Sequence, residues 1–299
     1  MSEADTRFRG PGARGAPPER QGTPAPPDDQ HRSGAGRRML VKLGGRVQQD
    51  PALPAAIAQL CLERPGAVCV VHGGGDEVSA LQRAMGLEPR FVGGRRVTGP
   101  EDLELVRMAL SGTSNKRVVG ALVGAGVAAV GVSGEDAALL VAEVADPALG
   151  RVGRVTRVEA RLLETLLAAG FVPVVSPLAR DAAGEGALNV NGDDAAAALA
   201  AALGADEVLF LADVPGVLVA GAVVPSLDAT AARGLVADGV AAGGMAAKLD
   251  AALSALAAGV PRARIGGLDA LRDPASGTLV SLAPATAGAP APTSDAAPR

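Results

Sequence analysis

Met39-Leu-Val-Lys-Leu-Gly-Gly-Arg46 decides how the rest of the chain reads. Met39, Leu40 and Val41 form a short apolar run, and Gly44-Gly45 closes it with a turn that no side chain obstructs, so the stretch reads as a buried strand entering a βα turn. Such a turn lets backbone N–H groups approach a phosphate, and the Lys42 cation stands beside it. A strand that ends in two glycines is common, so this one gains weight only from what accompanies it.

Composition is the first companion. The 28 basic residues divide into 25 arginines and three lysines, Lys42, Lys116 and Lys248; asparagine occurs only at positions 115, 189 and 191, and Tyr and Trp are absent. In a chain that writes its solvated cations as arginine, the surviving lysines mark places where a compact ammonium is needed and a planar guanidinium does not fit. All six scarce residues fall in glycine-flanked or polar clusters at turns.

The 299 residues, 48% of them hydrophobic, suffice for a large core. Residues 1–38 are rich in Pro, Gly and Arg and poor in large apolar side chains, as are residues 284–299 in Pro, Ala and Thr, so both read as disordered tails around one domain over 39–283. The first tail carries seven Arg against five acids, a net of +2, which leaves −6 of the overall −4 to the remainder. That balance argues against a nucleic-acid partner. No apolar run reaches the roughly 18 residues of a membrane span and no signal-peptide core is present, so a cytoplasmic protein without a membrane partner is expected. Cys61 and Cys69 read as buried free thiols. His72 is the one histidine outside the tail, which excludes a multi-histidine metal site and leaves a Ser-His-Asp hydrolase almost no room.

Ala67–Val71 is a second apolar strand running into His72-Gly73-Gly74-Gly75, and the helix expected over 76–85, with Val78, Leu81 and Met85 inward, follows it. Two glycine turns at the ends of consecutive strands mark the edge where open α/β sheets take ligands. His72 fits either a ligand contact or a hydrogen-bonded structural histidine. Residues 91–98 read as a hairpin or extended loop carrying Arg95-Arg96, one of which suits a carboxylate clamp. Helix 101–110 is interrupted or capped by 111–116, a strand follows over 127–132, and 138–158 suggests a β-hairpin. Asn189, Asn191 and Asp193 alternate before an alanine-rich helix and aim into one cleft, unless Asp193 or Asp194 is only its cap. Strands at 171–176 and 207–212, a turn at Asp213-Val-Pro-Gly216, and a long helix opened by Gly243-Gly-Met-Ala-Ala-Lys248 complete the pattern. This alternation predicts an α/β fold, a three-layer αβα sandwich with a mostly parallel sheet.

Two glycine cradles, two lysines beside them, an aspartate between and no pair of bases fit phosphoryl transfer, whose catalysis is mostly positioning and charge neutralisation. A carboxylate acceptor is already an anion and needs no base. The ordered motifs VKLGG (41–45), HGGG (72–75), GxRVT (94–98), LxGxxNK (110–116), NVNGD (189–193), DVPG (213–216) and GGMxxK (243–248) resemble the amino acid kinase family over about 39–282. Within it they are most similar to the branch that phosphorylates N-acetyl-L-glutamate in arginine biosynthesis.

The resemblance implies ATP and N-acetyl-L-glutamate as substrates, with Mg²⁺ carried on the nucleotide and no metal held by the protein alone. It implies that Lys42 and Lys248 stabilise charge on the moving phosphoryl group and that Asp193 holds both. Gly44, Gly45, Gly74 and Gly75 would line the phosphoryl and acceptor site with N–H donors, and Arg96 and Asn189 would meet the acceptor's α-carboxylate side. The nucleotide would lie near Gly204, Ala212, Asp213, Val240, Gly243 and Gly244. Gly192 and Arg95 depart from the family's usual Ala and Leu, and Arg95 adds a charge near the acceptor. Arginine-inhibited hexameric members carry an N-terminal helix that 1–38 is unsuited to form, so an arginine-insensitive homodimer is expected. A kinase for a carrier-linked aminoadipate or another N-acylated acidic amino acid, and a non-catalytic regulator of the same fold, are the competing readings.

Overall fold

The expected tails fall, apart from Arg37 and Arg38, outside residues 37–283, the part of the chain that the structure, a computed structural model, describes. Arg38 already belongs to the fold: its N–H donates to Asp206 Oδ2 at 2.8 Å and its guanidinium to Leu203 O at 2.7 Å.

Met39–Leu43 is a fully buried strand at the middle of an eight-stranded sheet. On one side of it lie Val68–His72, Val172–Ser176 and, at the edge, Ala129–Ser133; on the other lie Glu207–Leu211, Ala263–Gly266, Thr278–Ser281 and Ser226–Asp228. Pairing is parallel except between Ala263–Gly266 and Thr278–Ser281. Because side chains alternate across a strand, Leu40, Cys69, Val71, Val208 and Phe210 face one core, with helices Arg161–Ala168, Gly192–Ala202 and Gly244–Ala257. Met39, Val41, Val68, Val70 and Leu209 face the other, with helices Leu53–Glu63 and Asn115–Gly124. Burial on both faces is why these strands are unbroken apolar runs, and the αβα sandwich follows.

The expected hairpin over 138–158 is present as Leu140–Val144 against Val152–Val158. It closes with Leu178–Asp181 and Ala187–Val190 into a small four-stranded barrel that the sequence did not announce. A third apolar cluster, with Val78, Leu103, Val106, Leu110 and Leu178, packs beneath it. The interruption expected at 111–116 is a π-helical stretch, Met108–Ser114, which joins helix Pro100–Arg107 to helix Asn115–Gly124 rather than capping the first. Helix Gly75–Ala84 turns Val78 and Gln82 inward, and Met85 is 63% exposed rather than buried as expected. No helix among the described residues is long and apolar enough to cross a membrane.

Candidate active site

Lys42 has the parity of Leu40, so it projects to the face covered by helix Gly192–Ala202. Asn191 caps that helix, its side-chain oxygen accepting from the N–H groups of Asp193 at 2.8 Å and Asp194 at 3.3 Å. Neither aspartate is the cap, and Asp193 is free to turn inward. Its Oδ1 lies 2.7 Å from Lys42 Nζ and its Oδ2 3.3 Å from Lys248 Nζ, which the first turns of helix Gly244–Ala257 deliver. All three residues are at most 9% exposed. Burial works to raise the Asp193 carboxyl, but Lys42 and Lys248 outweigh it and hold the group below the usual carboxylate range. Burial, helped by Lys42, pulls the Lys248 ammonium down against the attraction of Asp193.

Two cavities flank this cluster. One, about 520 Å³, is lined by Gly44, Gly45, Asp76, Ala212, Asp213, Gly244 and Lys248. The other, about 200 Å³, is lined by Gly74, Arg96, Asn189, Asn191 and Gly192, and Gly75 borders both. Three helices, Gly75–Ala84, Gly192–Ala202 and Gly244–Ala257, start at this edge and turn the positive ends of their dipoles towards it. Gly44 is in the cradle but is not a free donor, because its N–H is committed to Leu211 O at 3.1 Å. What it contributes is the missing Cβ, which would stand 2.8 Å from that carbonyl. A Cβ on Gly74 would meet Leu110 Cδ2 at 2.7 Å, so the π-helical stretch presses on the second turn.

Arg96 is 9% exposed beneath the Phe91 ring, whose centroid is 4.7 Å from its guanidinium carbon. It donates to Gly75 O at 2.7 Å, to Ser79 Oγ at 2.8 Å and to Gln82 Oε1, and Gln82 donates on to Asp102. Asn189 reaches the same cavity and donates to Thr98 Oγ1 at 3.1 Å. Arg95 brings no free charge to the acceptor: it pairs with Asp194 at 3.0 Å. His72 is fully buried, and burial lowers its pKa to about 4. Its Nδ1 donates to Gly73 O at 2.8 Å and its Nε2 accepts from Asn115 at 3.1 Å, the structural alternative of the two foreseen.

The lysine pair, its shared carboxylate and both glycine turns all fall within one span that matches a known family. A model of the amino acid kinase family matches residues 37–267. The chain belongs to the amino acid kinase family. Among its relatives, an acetylglutamate kinase of Roseiflexus castenholzii (strain DSM 13941 / HLO8) is 43% identical over 245 residues, covering 81% of this chain and 93% of the relative. An acetylglutamate kinase of Geobacillus kaustophilus (strain HTA426) is 45% identical over 233 residues, covering 77% of this chain and 90% of the relative. Among solved structures, smu.665 from Streptococcus mutans UA159 superposes with a TM-score of 0.72 at 28% identity, covering 81% of this chain and 98% of that one.

Not every residue expected to bind the nucleotide in this amino acid kinase joins the cluster. Gly204 follows helix Gly192–Ala202 with φ +57° and precedes strand Glu207–Leu211, so it stands at the opposite edge of the sheet from Ala212 and Asp213. In a parallel sheet only the turns that follow strands share the ligand edge, and Gly204 ends a helix instead. Val240 is 52% exposed on the loop before Gly244–Ala257 and lines neither cavity, and Gly243 (φ +55°) borders a separate hollow with Asn191 and Asp194. Lys116 is structural, donating to Asn115 Oδ1 at 3.1 Å and Gly131 O at 3.2 Å. Ser79 and Gln82 lie outside every sequence motif; their only signal is a polar i, i+3 pair on the inward face of helix Gly75–Ala84.

Proposed function

We propose that this kinase transfers the γ-phosphoryl group of ATP to the γ-carboxylate of N-acetyl-L-glutamate, giving N-acetyl-L-glutamyl 5-phosphate and ADP, the second step of arginine biosynthesis. The observation that carries the reading is the pair of buried ammonium groups held by Asp193, with Lys248 lining the larger cavity and Gly192, next to Asp193, lining the smaller. An acceptor carboxylate oxygen bonds to the γ-phosphorus as its bond to the bridging oxygen of ADP breaks, and no proton has to move. Lys42 and Lys248 stand where charge on the phosphoryl oxygens is to be neutralised, while Asp193 keeps both oriented and removes one of their two charges. Gly45, Gly74 and Gly75 leave backbone open to the phosphoryl group. Arg96 offers a fixed cation to the acceptor's α-carboxylate, with Asn189 beside it.

Mg²⁺ fits as an ion carried by the nucleotide: Asp193 has both oxygens engaged by lysines, and the carboxylates lining the larger cavity are Asp76 and Asp213, the latter paired with Arg46 at 2.9 Å. When bound, the ion would neutralise charge on the phosphate oxygens. The small acceptor cavity, about 200 Å³, suits a free acyl amino acid better than a carrier-linked one. A regulator without turnover would have little use for the buried lysine pair. The same reading carries a homodimer that arginine does not inhibit, supported by the composition of residues 1–38 and checked by light scattering and an arginine titration. The decisive assay is hydroxylamine trapping of the acyl phosphate with ATP, Mg²⁺ and N-acetyl-L-glutamate. A hydroxamate that needs all three is expected; none formed, or an equal yield from a carrier-linked aminoadipate, overturns the assignment.

A further inference from the structure

Gln48 sits on the single 3₁₀ turn Arg46–Gln49, directly after Gly44-Gly45 and outside every motif of the sequence. Its Nε2 donates to Gly44 O at 3.2 Å and to Gly73 O at 3.1 Å. A carboxamide nitrogen carries two hydrogens, so one side chain spans both glycine turns. Gly73 O is filled from the other side by His72 Nδ1 at 2.8 Å, His72 Nε2 accepts from Asn115 Nδ2 at 3.1 Å, and the same nitrogen donates to Val174 O at 2.9 Å. A continuous run of neutral hydrogen bonds therefore leads from strand Val172–Ser176 through His72 and Gln48 to the first turn. The backbone link between the turns, Gly73 N to Leu43 O, is a longer 3.3 Å.

The two turns have different neighbours. Gly44-Gly45 borders the larger cavity with Lys248 and Gly244, and Gly73-Gly74 borders the smaller one with Arg96 and Asn189. The separation of the turns is thus the gap that the phosphoryl group crosses, and in-line transfer is sensitive to it: a misplacement of about 1 Å costs on the order of a hundredfold in rate.

We infer that Gln48 is a positioning residue for phosphoryl transfer, its carboxamide fixing the span between the turn that faces the nucleotide and the turn that faces the acceptor. The inference rests on the phosphoryl-transfer reading above. Gln48 need touch neither substrate. Each turn keeps its own backbone when the clamp is lost, so binding of each substrate alone survives and their mutual approach does not.

The test uses the full chain with two substitutions. Gln48→Met keeps the length of the side chain and removes both donors; Gln48→Glu keeps its shape and turns an oxygen on the two carbonyl oxygens. For Gln48→Met, kcat falls roughly 10- to 100-fold, while calorimetric Kd values for a non-hydrolysable ATP analogue and for N-acetyl-L-glutamate, each alone, stay near wild type. For Gln48→Glu the loss is larger and shrinks as pH is lowered, because the protonated acid regains one donor; wild type and Gln48→Met lack that rise. Gln48→Asn, which keeps the amide but shortens its reach, supplies the same split if Gln48→Met does not fold. A Gln48→Met enzyme with wild-type kcat overturns the inference alone. So do Kd values that rise in step with the loss of kcat and of melting temperature, the sign of a merely structural glutamine. Wild-type protein that forms no acyl phosphate overturns the proposed function and this inference with it.

Discussion

Replacing Asp193 by asparagine removes the charge on which both lysines rest. At an effective dielectric of about 20, unit charges at the observed 2.7 Å and 3.3 Å attract by about 6 and about 5 kcal/mol. Those gross attractions are opposed by the desolvation of three buried ions, and removing one partner of such a pair leaves a net cost of roughly 3–5 kcal/mol. The asparagine amide would also turn a donor towards at least one ammonium. Lys248 responds because burial and Lys42 already pull its pKa down and Asp193 is what resists them. Without the carboxylate its proton is lost at lower pH, so the alkaline limb of the pH–rate profile moves towards neutrality. At neutral pH the loss of one preorganised cation corresponds to about 100-fold or more in kcat. The assay is acyl-phosphate trapping across neutral and alkaline pH, with circular dichroism to select conditions in which the variant is folded. An Asp193→Asn enzyme within tenfold of wild-type kcat, with an unmoved alkaline limb, refutes the idea that Asp193 holds two working ammonium groups.

The buried neutral His72, with a pKa near 4 in the fold and about 6.5 unfolded, makes the unfolded state bind the extra proton first, so stability is lost as pH falls through that window, by about 3 kcal/mol. Urea unfolding at several pH values checks this, and His72→Asn flattens the slope in that window. Arg96→Lys keeps the charge but loses the planar fork, so KM for N-acetyl-L-glutamate rises about tenfold or more with a smaller change in kcat and none in the KM for ATP; steady-state kinetics separate the three. Gly44→Ala drives a methyl to 2.8 Å from the Leu211 carbonyl and destabilises the protein by roughly 1–3 kcal/mol, whereas the Cβ of Gly45→Ala meets nothing within 4 Å and leaves the melting temperature in place.

Much of this architecture is legible because parallel strands buried on both faces have to be apolar throughout: Val68–His72, Val172–Ser176 and Glu207–Leu211 lie within a residue or so of their expected bounds. Lysine scarcity led to Lys42 and Lys248, yet the same scarcity holds at Asn115 and Lys116, whose bonds to His72 and Gly131 are structural. A rare residue marks a place with strict geometric demands, whether chemical or architectural. The four-stranded barrel stayed hidden because Leu178–Asp181 and Ala187–Val190 are four residues each and one partner of each is distant in sequence. Gln48 and Gln82 were invisible for a different reason. Their partners are a carbonyl or a guanidinium on another element, and composition and periodicity carry no trace of such pairings.

The site owes its completeness to where the first strand lies in the sheet. Met39–Leu43 is flanked by Val68–His72, its successor in the chain, and by Glu207–Leu211, which follows far later. At that point the strand order switches direction, and the turns that leave the two sides open a crevice at the carboxyl ends of the strands. Lys42 comes from the strand at the switch, the HGGG turn from one side, and Asp193 and Lys248 from helices of the later half. Neither half of the chain carries the set alone: the early half has one cation and both glycine turns, and the later half has the carboxylate and the other cation. A substitution that loosens the packing of helix Gly192–Ala202 on strand Met39–Leu43 would therefore act on catalysis as surely as one in the cavities, because that packing is what brings Lys42 within 2.7 Å of Asp193.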